Sequence, residues 1–399
     1  MTTILQSAQN LQPSIRADVA AMQAERRLTE SVVSGMRQAG IFDMALPRSL
    51  GGPGLTPLEQ FEVLESLTYA DASVGWCAMI GADSGYLPGF LDDATLADLY
   101  PTRNLVTAGK VAPGGKAIRS SDGWRVTGRW DFGSGSSHAD RFIGGVFLCD
   151  EHGELLTDKG RPVVRAAHLP RSNVVVHDTW NTIGMRATAS NDYEVADTLV
   201  PTSWVYDPFG PMRRDDVLYR MPWWFLVKHA GVLTGLARRA IDEGISAATE
   251  KMLFPERVLL IDRPGTLEVI AQAEASARSA RAFVTAEIER VWEACGNDGD
   301  LSRDATAPLR LAMIHASTVA VEVTRAMFDL LTTTSITTGS VFAQLVADAA
   351  VANTHVATSH RNWMPLGARL VGRPVSGPTV FILPRLISDE LRREAKKSP

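Results

Sequence analysis

Apolar residues recur at helical spacing at both ends of this chain, and that spacing fails in the middle. Charged and apolar residues mix with helical periodicity from Ala17 to Gly40, and Gly40 closes the run. Ile41 to Gly54 is dense in Gly and Pro and reads as a loop. Thr56-Pro57 supplies an N-cap and a first-turn proline, and Phe61, Leu64 and Leu67 continue at helical spacing. Asp71-Ala-Ser-Val-Gly-Trp76 opens a further helix. From Leu105 to about Trp204 short β-rich runs replace the helical pattern: Trp124 to Phe132, Phe142 to Leu148, Val163 to His168, Val174 to His177 and Tyr193 to Val200. From Leu218 helices return, predicted over Trp223–Met252, Leu267–Cys295, Ala307–Thr332 and Phe342–His360. Val319, Val323, Met327 and Leu330 form one apolar stripe. The expected fold is α+β: an N-terminal helical domain over 1–105, a β-sandwich or barrel over 106–215, and a C-terminal four-helix bundle over 216–399.

The first β run carries the most chemistry. Trp124, Val126, Gly128, Trp130 and Phe132 fall on one face at period two, and the alternation then stops in Gly133-Ser-Gly-Ser-Ser137. Backbone N–H groups and three hydroxyls directly after two tryptophans suit a flat, polar-edged ring that needs stacking and edge hydrogen bonds. A surface hairpin loop explains the run equally well.

Composition narrows the function classes. With 40 basic and 45 acidic residues, a net charge of −5 and no basic block, nucleic acid is not an expected partner. The apolar runs are too short for a membrane span, and the first residues lack a charged start and apolar core, so the expected location is cytoplasmic. Cys77, Cys149 and Cys295 are sparse and contain no CxxC, and the 8 histidines include no HExxH, so no metal is expected. Neither a dinucleotide fingerprint nor a P-loop is present.

Five stretches, taken in order, resemble the acyl-CoA dehydrogenase superfamily. They are Phe42-Asp-Met-Ala-Leu-Pro-Arg-Ser-Leu-Gly-Gly52, Ala70-Asp-Ala-Ser-Val-Gly-Trp76, Gly128-Arg-Trp-Asp-Phe-Gly-Ser-Gly-Ser-Ser-His-Ala139, Trp180-Asn-Thr-Ile-Gly-Met-Arg-Ala-Thr-Ala-Ser-Asn-Asp192, and the spacing of Asp348 and His355. Within the superfamily they are most similar to the group D flavin-dependent monooxygenases. Those are oxygenase components of two-component systems, fed by a separate flavin reductase. Two departures stand out. Gln344 and Ala347 occupy positions where that branch often has arginine, and Ala108 to Ala117 lacks the acidic pattern of true dehydrogenases.

The resemblance implies reduced flavin (FMNH2 or FADH2) and O2 as co-substrates. A flavin C4a-hydroperoxide would deliver one oxygen atom to a small, aromatic or polycyclic substrate. It also implies a homotetramer. His355, Ser134 and Trp76 are the implied catalytic residues. Ser134, Gly135, Ser136, Trp180, Arg186, Thr188, Ser190, Asn191 and Asp348 would serve the cofactor, with Ser134 ahead of Ser136 for flavin N5. Trp76, Trp223, Trp224 and His229 would line the substrate pocket. Each has a plainer alternative: core packing for the tryptophans, turn capping for Ser190 and Asn191, and a satisfied bundle histidine for His355. An acyl-CoA dehydrogenase or oxidase is the rival reading, but no Asp or Glu lies between His360 and Arg385 to act as its late base. Oxygenation of an amine or thioether is a further alternative.

Overall fold

A computed structural model describes residues 2–208, 210–221 and 224–373. Five helices precede the sheet: α1 (Ile4–Glu25), α2 (Glu30–Gln38), α3 (Pro57–Ala70), α4 (Ala72–Gly81) and α5 (Asp93–Leu99). The predicted run from Ala17 to Gly40 is two helices, not one. Arg26 turns left-handed at φ 56° to end α1, and Thr29 occupies the N-cap position of α2 with its hydroxyl donated to Asp18; no glycine announces that break. The start of α3 follows expectation. Thr56 Oγ1 accepts from Glu59 N, and Glu59 reaches back to Thr56 N, a reciprocal cap of about 1 kcal/mol. Asp71 caps α4 by accepting from Ser73 N and Val74 N. That fixes the first turn of the helix carrying Trp76.

The middle of the chain comprises β1 (Thr107–Ser120), β2 (Gly123–Gly133), β3 (Arg141–Cys149), a short hairpin β4 (Thr157–Asp158) and β5 (Arg161–Pro162), then β6 (Val164–Pro170), β7 (Val175–His177), β8 (Asn191–Val200) and β9 (Val205–Tyr206). One seven-stranded sheet runs in the order β7-β8-β2-β1-β3-β6-β9, with only the β1–β3 pairing parallel. The sequence pattern misses β1. Its Lys110-Val-Ala-Pro-Gly-Gly115 segment reads as loop, and in the sheet it is absorbed by register shifts against β3 at Lys110/Pro113 and Pro113/Gly115. Trp130 lies inside the sheet core, 1% exposed, with its indole donating to Gly145 O at 2.8 Å. Glycines at 114, 128 and 144 leave the space its ring fills. Trp124 is buried too. Neither tryptophan of β2 is free to stack on a ligand.

The third part holds α6 (Trp224–Val227), α7 (His229–Glu250), α8 (Pro264–Gly296), α9 (Arg303–Leu331), α10 (Val341–Ala352) and α11 (Trp363–Leu370). Val319, Val323 and Met327 of the predicted stripe are buried, whereas Leu330 is half-buried at the edge of the core. The last predicted helix is shorter than expected. It ends at Ala352, where Asn353 closes the turn while its Oδ1 accepts from Ser317 of α9 at 2.7 Å. His355 therefore stands in the turn after α10 and not on a helix face. Trp223 lies outside the described residues.

Candidate functional site

Five parts of the chain meet around Trp76: α4, the end of β2, the loop from Trp180 to Asn191, the start of α7 and the turn after α10. At the end of β2 the period-two alternation breaks. Phe132 adopts φ 60° and its ring is 60% exposed, set edge-on against Trp180 at 6.2 Å. A bulky residue in the left-handed region is costly, so the turn that follows β2 must hold it there. Period-two alternation alone puts Phe132 on the buried face, and no sequence signal announces its backbone angle.

The Gly-Ser run is not the set of free N–H donors that its composition suggests. Ser134 N donates to Phe132 O, Gly135 N to Thr188 O, Ser136 N to Gly133 O and His138 N to Gly135 O, all between 2.8 and 3.0 Å. Gly135 serves by its shape: φ is +77°, and a Cβ there would stand 3.2 Å from the His138 ring. Side-chain hydroxyls remain. Ser136 is fully buried and donates to Ala189 O at 2.6 Å. Ser134 accepts from Trp76 Nε1 at 3.1 Å and bonds Ser190 Oγ at 2.7 Å. Ser190 bonds Thr188 Oγ1 at 2.7 Å, and Thr188 donates to Met185 O at 2.9 Å. Four side chains from three segments thus form one continuous row ending on a backbone carbonyl. Both ring nitrogens of His138 are buried and neither is partnered, and desolvation pushes the ring down to about 4.

The loop that carries Thr188 and Ser190 is held under strain. Met185 and Ala189 both have left-handed backbones, φ 52° and 45°. Gly184 lies so close to α10 that a Cβ would sit 2.3 Å from Ala347 C and O. Asp348 of α10, 1% exposed, accepts from Met185 N at 2.5 Å. Asp348 acts on this loop, and through it on the hydroxyl row. Burial, and next the Asp71 carboxylate, push its carboxyl up to about 7. Asp71 is likewise raised, by burial, and its second oxygen accepts from Gln344 Nε2 at 3.2 Å. Gln344, which stands where the resembling branch often has arginine, is the bridge to this acid pair. The pair ties α4, α10 and the strained loop together.

On the other side of Trp76 stand two histidines. Trp76 meets His229 and His355 edge-on at 5.2 and 5.4 Å, and the two imidazoles stack at 4.3 Å and 19°. His229 Nδ1 faces Leu226 O at 2.8 Å, so it carries the proton, and its Nε2 is a bare lone pair, buried with no partner. His355 Nδ1 accepts from Ala357 N at 3.3 Å, so its Nε2 holds the proton. Burial pushes His355 down to about 4, and burial with the neighbouring His355 takes His229 well below the usual range. Both are neutral at pH 7. Burial thus keeps His355 neutral well below the pH range in which an ordinary imidazole titrates.

The remaining sequence candidates support the loop. Trp180 donates Nε1 to Met185 O at 2.9 Å and keeps a half-buried ring beside Phe132. Arg186 bonds Asn181 Oδ1 and Thr182 O. Asn191 Oδ1 accepts from Thr179 N and Trp180 N. Trp224 is wholly buried and packs on Trp292 of α8 at 6.2 Å, which makes it core and not pocket wall. Among the described residues, no group of three His, Cys, Asp or Glu side chains is placed to hold a metal ion, and no helix is long and apolar enough to cross a membrane.

Residues 6–91 match the acyl-CoA dehydrogenase N-terminal domain, and residues 227–360 the acyl-CoA dehydrogenase C-terminal domain. The chain is 33% identical over 366 residues to the indole-3-acetate monooxygenase of Pseudomonas putida, covering 91% of this chain and 92% of that protein. With the indole-3-acetate monooxygenase of Acinetobacter baumannii it shares 30% over 340 residues, 84% of this chain and 83% of that one. Its fold is similar to that of XiaF from Streptomyces sp., solved with FADH2 and glycerol, at a TM-score of 0.86 and 22% identity over 94% and 96% of the two chains. It is also similar to TdsC from Paenibacillus sp. A11-2, solved with FMN and indole, at a TM-score of 0.81 and 18% identity over 94% and 98%.

Proposed function

The chain belongs to the acyl-CoA dehydrogenase family, and from that premise we propose that it is the oxygenase component of a two-component flavin-dependent monooxygenase acting on a small aromatic substrate of indole type. One observation carries this reading: the row Trp76–Ser134–Ser190–Thr188 lies between an exposed aromatic ledge and a pair of neutral, stacked histidines. The residues fit a flavin. Phe132 and Trp180 offer apolar ring surface to a flat heterocycle. Ser134 keeps an open lone pair beside them, whereas Ser136 is enclosed with its proton on Ala189 O. That favours Ser134 over Ser136 as the group that meets N5.

Bound reduced flavin supplies the two electrons with which O2 is split, one oxygen atom entering the substrate and the other leaving as water. The protein's part is to orient, to keep water out and to hold protons in place. Trp76 fixes Ser134 by its indole N–H and separates the cofactor side from the histidine side. His355 offers an N–H from Nε2 to a developing negative charge or to a substrate hydroxyl; its burial and the Ala357 N–H on Nδ1 make it a hydrogen-bond donor and a weak base. His229 offers the complementary lone pair, matched to a ring N–H or O–H. The reductase is a separate protein, the assembly is a homotetramer formed through the helical bundle, and the enzyme works in the cytoplasm on either FMNH2 or FADH2.

The test supplies the purified chain with FMN or FAD, NADH, a flavin reductase and 18O2, against a panel of indoles, phenols and fused aromatics. The expected result is one 18O atom in an oxygenated product, dependent on the reductase. No labelled product from any of the panel, together with bleaching of bound oxidised flavin by an acyl-CoA, would instead identify a dehydrogenase. Light scattering at micromolar concentration tests the tetramer.

A further inference from the structure

The hydrogen bonds of the Trp76–Met185 row have a direction, and its two ends set it. An indole N–H only donates, so Ser134 Oγ accepts from Trp76. A carbonyl only accepts, so Thr188 places its one proton on Met185 O. Thr188 then meets Ser190 as an acceptor, which uses the Ser190 proton. Ser190 in turn meets Ser134 as an acceptor, which uses the Ser134 proton. Ser134 is left with one lone pair and no proton to offer. All three hydroxyl residues are buried, so water does not scramble the order.

Resting on the reading of Ser134 as the contact to flavin N5, we infer that this row makes the site select reduced over oxidised flavin. Reduced flavin carries a hydrogen on N5 and can donate to the lone pair of Ser134. Oxidised flavin has a bare N5, which also needs a donor. To supply one, all three hydroxyls must turn over and Thr188 must give up its bond to Met185 O. The penalty is one buried hydrogen bond, equivalent to roughly a fivefold to tenfold preference. Thr188 and Ser190 are positioning residues here; they act through Ser134. A site of this polarity holds the cofactor in the form that reacts with O2 and releases the spent form.

The experiment is a pair of dissociation constants for FMN and for FAD, oxidised by fluorescence quenching in air and reduced by anaerobic titration. Wild type should bind the reduced form more tightly. Thr188→Val leaves Ser190 free to donate toward Ser134, and Ser190→Ala leaves Ser134 its own proton. Both should lower the oxidised-to-reduced ratio of constants about fivefold to tenfold, and so lower the midpoint potential of the bound flavin by up to about 30 mV, the value of a tenfold ratio for a two-electron couple. Thr188→Ser keeps the hydroxyl and should keep the wild-type ratio. Trp76→Phe removes a donor but leaves the polarity of the row, and should keep the ratio while weakening both forms. A wild type that binds both forms equally, or Thr188→Val and Ser190→Ala proteins that fold, bind flavin and keep the wild-type ratio, would overturn the inference and leave the flavin reading standing. A wild type that binds neither form overturns both. Circular dichroism and a melting curve establish folding, and either hydroxyl variant suffices alone.

Discussion

Asp348→Asn is the substitution that most directly tests the acid pair behind the site. Asp348 is enclosed, holds Met185 N–H and faces the Asp71 carboxylate, and its own carboxyl is raised from 3.8 to about 7. The folded protein therefore keeps a proton on Asp348 through the window from about pH 4 to about 7, where the unfolded chain has lost it. That proton stabilises the fold fully below about pH 4, and its contribution is lost as the pH rises through about 7. At 1.36 kcal/mol per unit, the ionised form above pH 7 is worse placed by on the order of 2–4 kcal/mol. Asparagine mimics the protonated acid at every pH. Its carbonyl can still accept from Met185 N, and its amide carries no charge to repel the Asp71 carboxylate. By differential scanning fluorimetry, the variant should melt about 1 °C above wild type at pH 5 and about 2–4 °C above it at pH 8, since a chain this long shifts roughly 1 °C per kcal/mol. Taking the difference between the two proteins cancels every titrating group that is not coupled to Asp348. Asp348→Ala, which removes the acceptor for a buried N–H, should melt lower at both pH values. A difference between the Asp348→Asn variant and wild type that stays constant from pH 5 to 8, or turns negative at pH 8, would refute the reasoning.

Other expectations follow from the same geometry. His355→Asn should cut product formation at least about tenfold while leaving the reduced-flavin dissociation constant within about twofold; unchanged turnover removes His355 from the mechanism. The depressed His138, His168, His229 and His355 stay neutral in the fold while the unfolded chain takes up protons below about 6.5. Stability should therefore fall as pH drops from about 6.5 toward about 4, outweighing the opposite contribution of Asp348; a melting temperature flat or rising from pH 6.5 to 5 contradicts this. Gly184→Ala puts a Cβ 2.3 Å from the backbone of Ala347, and should cost more than about 2 kcal/mol and weaken flavin binding, because the loop bearing Thr188 and Ser190 must move; a variant of normal stability and affinity would show that the loop is not pinned there. Trp224→Ala should cost about 3–5 kcal/mol without altering the flavin constants, and a selective loss of substrate affinity in a stable variant would restore Trp224 to the pocket.

Periodicity and capping residues are enough for the helix–sheet–helix order, for the start of α3 at Thr56-Pro57 and for most strands, because these depend on neighbours close in sequence. The residues that line the site are largely legible as well: Trp76, Ser134, Thr188, Ser190, His229 and His355 stand in recognisable stretches. Their roles are not. Whether Ser134 gives or accepts a proton depends on the carbonyl of Met185 in a distant segment, and the charge states of His355 and Asp348 depend on burial among segments far apart in the chain. Phe132 leaves its predicted face because its backbone turns left-handed, and Trp130 becomes core because glycines from three strands open a space for it. The sequence alone determined which chemical groups this protein has and in what local elements. Only the tertiary structure decided their protonation, their hydrogen-bond direction and which of them face outward, because those properties are set by desolvation and by partners that folding brings together.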